Sequence, residues 1–191
     1  MTKNPIKAYA VTLMAFSSLI SPVFATDTDW VALSKGQVVI KQMDLTSVGQ
    51  AVQAKVLVNK PIDATWKVIT DPAKLASHES KVKKAEIIKR TTKGQNVDYS
   101  VSMTRLLPTF NYVLEQDFFP PNKVSFHRLS GSFRDIQGSW FLSPAPVGKG
   151  TIVTYNLMMD VGPLVPKGMV MGAVKSDLPN FMRNAKLSIE Q

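Results

Sequence analysis

The sequence predicts an α+β chain: a curved antiparallel sheet of about seven strands wrapped around a long C-terminal helix, with two short helices after the first strand. Three observations carry this. Period-two alternation of apolar and polar residues recurs in segment after segment between Val52 and Val161. The period switches to a helical one around Pro61 to Asp71, early in that run. At the C-terminus it gives way to apolar residues spaced three and four apart.

The first clear strand sets Val52, Ala54, Val56 and Val58 on one face against Gln53, Lys55 and Asn59. Lys60-Pro61-Ile62-Asp63 then starts a helix. Pro61 suits a first turn, Asp63 lies near the positive end of the helix dipole, and Ala64, Trp66, Val68 and Ile69 supply an apolar face. It should stop at Asp71-Pro72, because a residue before proline avoids the helical region, and a second short helix is expected over Ala73 to Ser77.

Strands follow at Val82 to Thr91 and from Gly94, where Val97, Tyr99, Val101 and Met103 alternate with Asp98, Ser100, Ser102 and Thr104. Others are expected at Phe110 to Phe119, Lys123 to Leu129, Ile136 to Ser143 and Thr151 to Val161, with Pro120-Pro121-Asn122 a turn. Joined by turns this short, neighbours must pair antiparallel. Pairing through the turns puts Arg128 opposite Leu114, and Leu114 opposite Val101.

The sheet's apolar face needs a cover, and the one long helical pattern left is Pro166 to Gln191. Val170, Met171, Val174, Leu178, Phe181, Ala185 and Ile189 form its apolar stripe. Pro179 is expected to kink or split it, with Asp177 as a new cap, since an interior proline costs about 3 kcal/mol.

Ahead of the domain, Lys3 and Lys7 precede an uncharged run from Ala8 to Ile20 and the small-residue stretch Ser21-Pro22-Val23-Phe24-Ala25, the pattern of a cleavable signal peptide. Its apolar run of about 13 residues is shorter than the roughly 20 that span a bilayer. The expected organisation is therefore residues 1–25 as signal peptide cleaved after Ala25, 26–50 as an N-terminal extension with room for an edge strand at Gly36 to Gln42, and 51–191 as the domain. The expected localisation is periplasmic or secreted.

Absence of Cys excludes disulfides, thiolate catalysis and Cys-ligated metal. The net charge of +9 falls to about +7 once Lys3 and Lys7 are removed, which favours contact with anionic surfaces. The basic residues are scattered apart from Lys81, Lys83, Lys84, Lys89 and Arg90, which read as a solvated strand edge.

Strand, two short helices, six strands and a long helix is the order of the START-like, or SRPBCC, helix-grip superfamily. Three stretches resemble its polyketide cyclase/dehydrase and coenzyme Q-binding branch: Pro61-Ile62-Asp63-Ala64-Thr65-Trp66-Lys67-Val68-Ile69-Thr70-Asp71, Gly131-Ser132-Phe133-Arg134-Asp135-Ile136-Gln137-Gly138-Ser139-Trp140, and Asp177-Leu178-Pro179. The second is the most specific, with glycines, an aromatic and a Trp in one frame. The resemblance covers about residues 51 to 187 and implies a START-like domain with a cavity between sheet and helix for a lipid, quinone, sterol or aromatic polyketide. It carries no catalytic motif onto these residues.

Strand parity then nominates the cavity lining: Tyr99, Val101, Met103, Tyr112, Leu114, Phe126, Trp140, Leu142, Tyr155 and Leu157, with Met171, Val174, Leu178 and Phe181 from the helix. An ordinary core role stands beside the ligand role for each. Polar residues on the apolar parity are more telling, because a buried charge needs a partner: Arg105, Gln116 and Arg128 are the candidates for polar recognition. Pairing with Glu115, Asp117 or Asp135, or reaching to water, is the favoured explanation of the two arginines.

A pocket of about 500 Å³, a typical ligand-site size, would cost roughly 12 kcal/mol if empty. That rivals the stability of a whole domain, so a guest, hydration or collapse is expected. Leu164 to Gly172, with exposed apolar side chains beside Lys167, reads as a core-packed loop or as a lid or membrane-touching edge.

His78 and His127 stand far apart with no second imidazole or acid pair at metal-ligand spacing. His127 is expected on the outer face. The expected function is thus an exported carrier of a hydrophobic small molecule or lipid. No catalytic residue, metal or cofactor is expected, nor nucleic acid, and the chain is expected to be monomeric with transient contact to anionic membrane. The alternative is a cyclase/dehydrase-type enzyme using Arg105, Tyr99, Tyr112 or His78 on a polyketide-like substrate.

Overall fold

A computed structural model describes residues 27–45, 49–103, 105–162 and 167–191. The proposed signal segment, its cleavage point and Leu164 to Pro166 lie outside the described residues. Elements run α1 (Asp27–Ser34), β1 (Val39–Leu45), β2 (Gly49–Val58), α2 (Ile62–Ile69), α3 (Pro72–Leu75), β3 (Val82–Arg90), β4 (Gly94–Val101), β5 (Phe110–Phe119), β6 (Lys123–Gly131), β7 (Asp135–Pro144), β8 (Thr151–Asp160) and α4 (Lys167–Glu190).

All eight strands form one antiparallel sheet in the order β1-β2-β8-β7-β6-β5-β4-β3. The meander β3 to β8 follows from its short turns. The connection through α2 and α3 carries the chain from β2 to the opposite edge at β3. The strand count is one above the expected seven. The residues ahead of β2, read as an extension with room for an edge strand, supply that strand as β1 together with a helix, α1, that periodicity did not signal.

β2 is covered on both faces. Val52, Ala54, Val56 and Val58 are buried in the main core, which includes Val170, Leu178, Met182, Ala185 and Ile189 of α4. On the opposite face Lys55, buried despite its charge, donates to Asp29 of α1 at 2.9 Å, and the half-exposed Lys41 of β1 donates to the same carboxylate oxygen at 2.8 Å. Burial works against the Asp29 charge, but the hydrogen bonds from Lys41 and Lys55 outweigh it and hold its carboxyl below the usual carboxylate value. A buried lysine is tolerable only with such a partner.

α4 runs unbroken through Pro179, contrary to the expected split at Asp177. The buried Leu178 and Met182 on either side anchor both halves to the same core, and that burial offsets the hydrogen bond that proline removes. Residues 167–172, read as a loop or lid, already form the first turns of α4.

Register differs in one hairpin. Leu114 pairs with Arg128 as expected, but faces Val97 rather than Val101 across β4. β4 ends at Val101, so Met103 and Arg105 lie in a long connection before β5 instead of continuing the strand. Gly138 allows a close approach: a Cβ there would meet the Asn156 carbonyl oxygen at 2.1 Å and the Phe126 ring at 2.6 Å.

The buried Asp29–Lys55 pair yields a stability prediction. Asp29→Asn should destabilise the protein by about 3 to 5 kcal/mol in chemical denaturation, because it strands a buried ammonium, whereas the double variant Asp29→Leu/Lys55→Met should lose far less. Since the Asp29 carboxyl is held below its unfolded value, its contribution is present above that value and fades as pH falls through the lowered one. Equal losses in the single and double variants would contradict this account.

Candidate functional site

Between the sheet and α4 lies a cavity of about 190 Å³. β4 and the residues after it contribute Tyr99, Val101 and Met103; β5 contributes Tyr112, Leu114 and Gln116; β6 contributes Phe126. Ile136 and Trp140 come from β7, and Tyr155, Leu157 and Met159 from β8. Val174, Asp177, Leu178 and Phe181 of α4 roof it, and Pro72, Leu75 and Ala76 close one end. Side chains stand here because alternate residues of each strand face the helix.

Aromatic rings tie floor to roof. Trp140 and Tyr155 sit with centroids 4.4 Å apart, and Phe181 of α4 meets them at 5.8 and 5.3 Å. Phe126 stacks on Tyr155 at 5.9 Å, using the space that Gly138, its cross-strand partner, leaves. Tyr99 stacks on its cross-strand partner Tyr112 at 5.6 Å. Such contacts hold the wall more firmly than aliphatic packing of equal area.

Besides the charged Glu79, Lys81 and Asp177, the polar residues lining this space are three phenols and one amide, Tyr99, Tyr112, Tyr155 and Gln116. Burial pushes the Tyr99, Tyr112 and Tyr155 hydroxyls far above the ordinary tyrosine range. Mutual proximity adds to this, Tyr112 acting on Tyr99, and Tyr112 and Tyr99 acting on Tyr155. The Gln116 hydrogen bond offsets a little of it at Tyr99. All three stay protonated at physiological pH.

Charges sit at the rim. Lys81, just ahead of β3, forms an ion pair with Asp177 of α4. Glu79 accepts from the Lys81 backbone amide and the Asn184 side-chain amide, each at 3.2 Å. Among the described residues no group of three or more His, Cys, Asp and Glu is placed to hold a metal ion, and no helix is long and apolar enough to cross a membrane.

Thirteen of the expected lining residues line this cavity: Tyr99, Val101, Met103, Tyr112, Leu114, Gln116, Phe126, Trp140, Tyr155, Leu157, Val174, Leu178 and Phe181. Four do not. Arg105 is exposed in the β4–β5 connection, because the strand ends before it. Arg128 keeps the cavity-facing parity but binds the Gly131 carbonyl oxygen at 2.9 Å through Nη2. Leu142 is buried in the core opposite Val153, and Met171 is buried off the cavity wall.

His127 is on the outer face as expected, 3.5 Å from Glu115. His78 lies outside the lining, its Nδ1 within 3.1 Å of both the Ser77 and Ser188 hydroxyls, where it ties the end of α3 to α4. Of the four residues that the enzyme alternative invoked, only Tyr99 and Tyr112 reach the cavity. Of the basic cluster, Lys84 pairs with Asp98 and Glu86 on the edge strand β3, while Lys81 is drawn to the cavity rim.

Parity reasoning missed Ile136 and Met159, although both continue the faces of Trp140 and Leu157 and pair with each other. It also missed Pro72, Leu75, Ala76, Glu79, Lys81, Val82 and Asp177. Most of these belong to short helical or connecting segments where no period assigns a face.

The chain shares its fold with solved structures of low sequence identity. A STAR-related lipid transfer protein from Xanthomonas axonopodis aligns with a TM-score of 0.68 and 15% identity, covering 81% of this chain and 94% of that one. Human StAR-related lipid transfer protein 5 aligns at 0.66 and 14%, covering 81% and 83%. The Zhui aromatase/cyclase from a Streptomyces species aligns at 0.64 and 17%, covering 73% and 93%. No curated protein matches the sequence significantly. Residues 58–186 match the family described as polyketide cyclase / dehydrase and lipid transport, and the chain belongs to that family.

Proposed function

We propose that the protein is an exported carrier that binds a lipid, quinone or aromatic polyketide-like molecule between its sheet and α4. The observation that carries this reading is a cavity with a largely apolar, aromatic wall, whose one lysine is paired with Asp177. Its volume of about 190 Å³ is below the typical size assumed from sequence. Left empty, it would still cost about 5 kcal/mol by the core-cavity slope. That is a large share of a domain's stability, so occupancy by an apolar guest is favoured. The structural likeness to a lipid transfer protein and to an aromatase/cyclase agrees with such a guest.

Export is part of the proposal. It rests on the basic start, the apolar run from Ala8 to Ile20 and the small residues before Thr26. A basic net charge fits transient contact with an anionic membrane surface during delivery.

Native mass spectrometry of gently purified protein should show a bound hydrophobic species. Val101→Trp, which fills the cavity from β4, should weaken uptake at least about tenfold while the protein stays folded, since overpacking costs about 1 to 3 kcal/mol. A reproducibly empty protein that refuses apolar ligands would overturn the carrier reading.

Fractionation of cells producing the full chain should recover protein beginning at Thr26 outside the cytoplasm. Recovery of a chain starting at Met1 in the cytoplasm would overturn the export proposal and leave the binding proposal standing.

A further inference from the structure

The polar side of the cavity has a fixed direction. Gln95 of β4 is fully buried and forms a chain with its cross-strand partner Gln116. Gln95 Nε2 donates to the Thr70 carbonyl oxygen at 3.0 Å and to Gln116 Oε1 at 2.8 Å, and Gln95 Oε1 accepts from Arg90 Nη1 at 3.4 Å. A backbone carbonyl only accepts and a guanidinium only donates, so these two neighbours settle which end of the Gln95 amide faces which way. Gln116 must then present Oε1 to Gln95 and Nε2 to the Tyr99 hydroxyl oxygen, 3.5 Å away.

The consequence falls on Tyr99. Its oxygen is engaged as an acceptor, which leaves its proton to be donated away from Gln116. The Tyr112 and Tyr155 hydroxyls line the same cavity, and among the described residues neither has a hydrogen-bond partner. Among the described residues the one cation lining the same space, Lys81, is already paired with Asp177. A carboxylate or phosphate would be desolvated here without a free counter-charge.

We infer that this tyrosine face is a hydrogen-bond-donating site for an uncharged oxygen acceptor, such as a ketone, quinone or ester carbonyl, on an apolar ligand. Gln95 and Gln116 are positioning residues that aim the Tyr99 proton into the cavity. The inference rests on the carrier reading and narrows it by excluding anionic ligands and pure hydrocarbons as preferred guests.

Three probes of one shape test it by calorimetry on the purified protein: 2-acetylnaphthalene, 2-ethylnaphthalene and 2-naphthoate. The ketone should bind about tenfold more tightly than the hydrocarbon, the gain of a well-placed hydrogen bond or two, and the carboxylate most weakly. Tyr99→Phe should bring the ketone-to-hydrocarbon ratio close to one, and Gln116→Met should lower it. Should Tyr99→Phe fail to fold, the wild-type ratio and Gln116→Met still decide.

Equal binding of ketone and hydrocarbon, or a ratio untouched by Tyr99→Phe, would overturn the donor assignment while the carrier reading survives. Tightest binding of the naphthoate would overturn it as well. Refusal of all three probes by folded wild-type protein would sink the carrier reading and this inference together.

Discussion

One wide apolar sheet face and a single long helix to cover it set the terms for this molecule. α4 is committed along much of its length to β2, where small β-branched and alanine side chains let it approach closely. It cannot also sit tightly on β4, β5 and β6. Contact with the sheet beyond β2 is made over β8 and β7, where Tyr155 and Trp140 meet Phe181 of α4. The cavity is therefore a by-product of covering geometry, and its wall is aromatic because shorter side chains would leave sheet and helix without contact.

Much of this was legible because alternation is a faithful reporter of which way a strand residue faces. Val101, Leu114, Phe126 and Trp140 reach the cavity for the reason the sequence suggested, and seven strands and the three helices from Pro61 onward fall close to their expected bounds. The failures share a physical origin. Parity says nothing about where a strand stops, so it carries Arg105 beyond the end of β4, and the expected β4–β5 register slips with it. Nor does it describe depth, so it puts Leu142 on the wall although this residue lies in packed core.

α1 escaped notice because its eight residues carry almost no periodic signal; a buried ion pair helps to hold it. Pro179 does not split α4 for a related reason: local propensity favours a break, and tertiary burial on both sides of the proline prevails over it. Gln95 shows a further limit. No periodicity marks it, and the positions of Thr70, Arg90 and Gln116 explain its complete burial.

The two long sides of α4 are attached in unlike ways. Toward β2 the attachment is mainly apolar, with Lys186 donating to the Leu57 carbonyl oxygen at 2.7 Å near the C-terminal end, and separation there would wet Val170, Met182 and Ala185 at a cost that scales with area. Toward the free margin of the sheet it includes Lys81 with Asp177 and Glu79 with Asn184, partnerships that water can replace almost without loss. The β2 flank is therefore the costlier side of α4 to separate, and the margin near Lys81 the cheaper one.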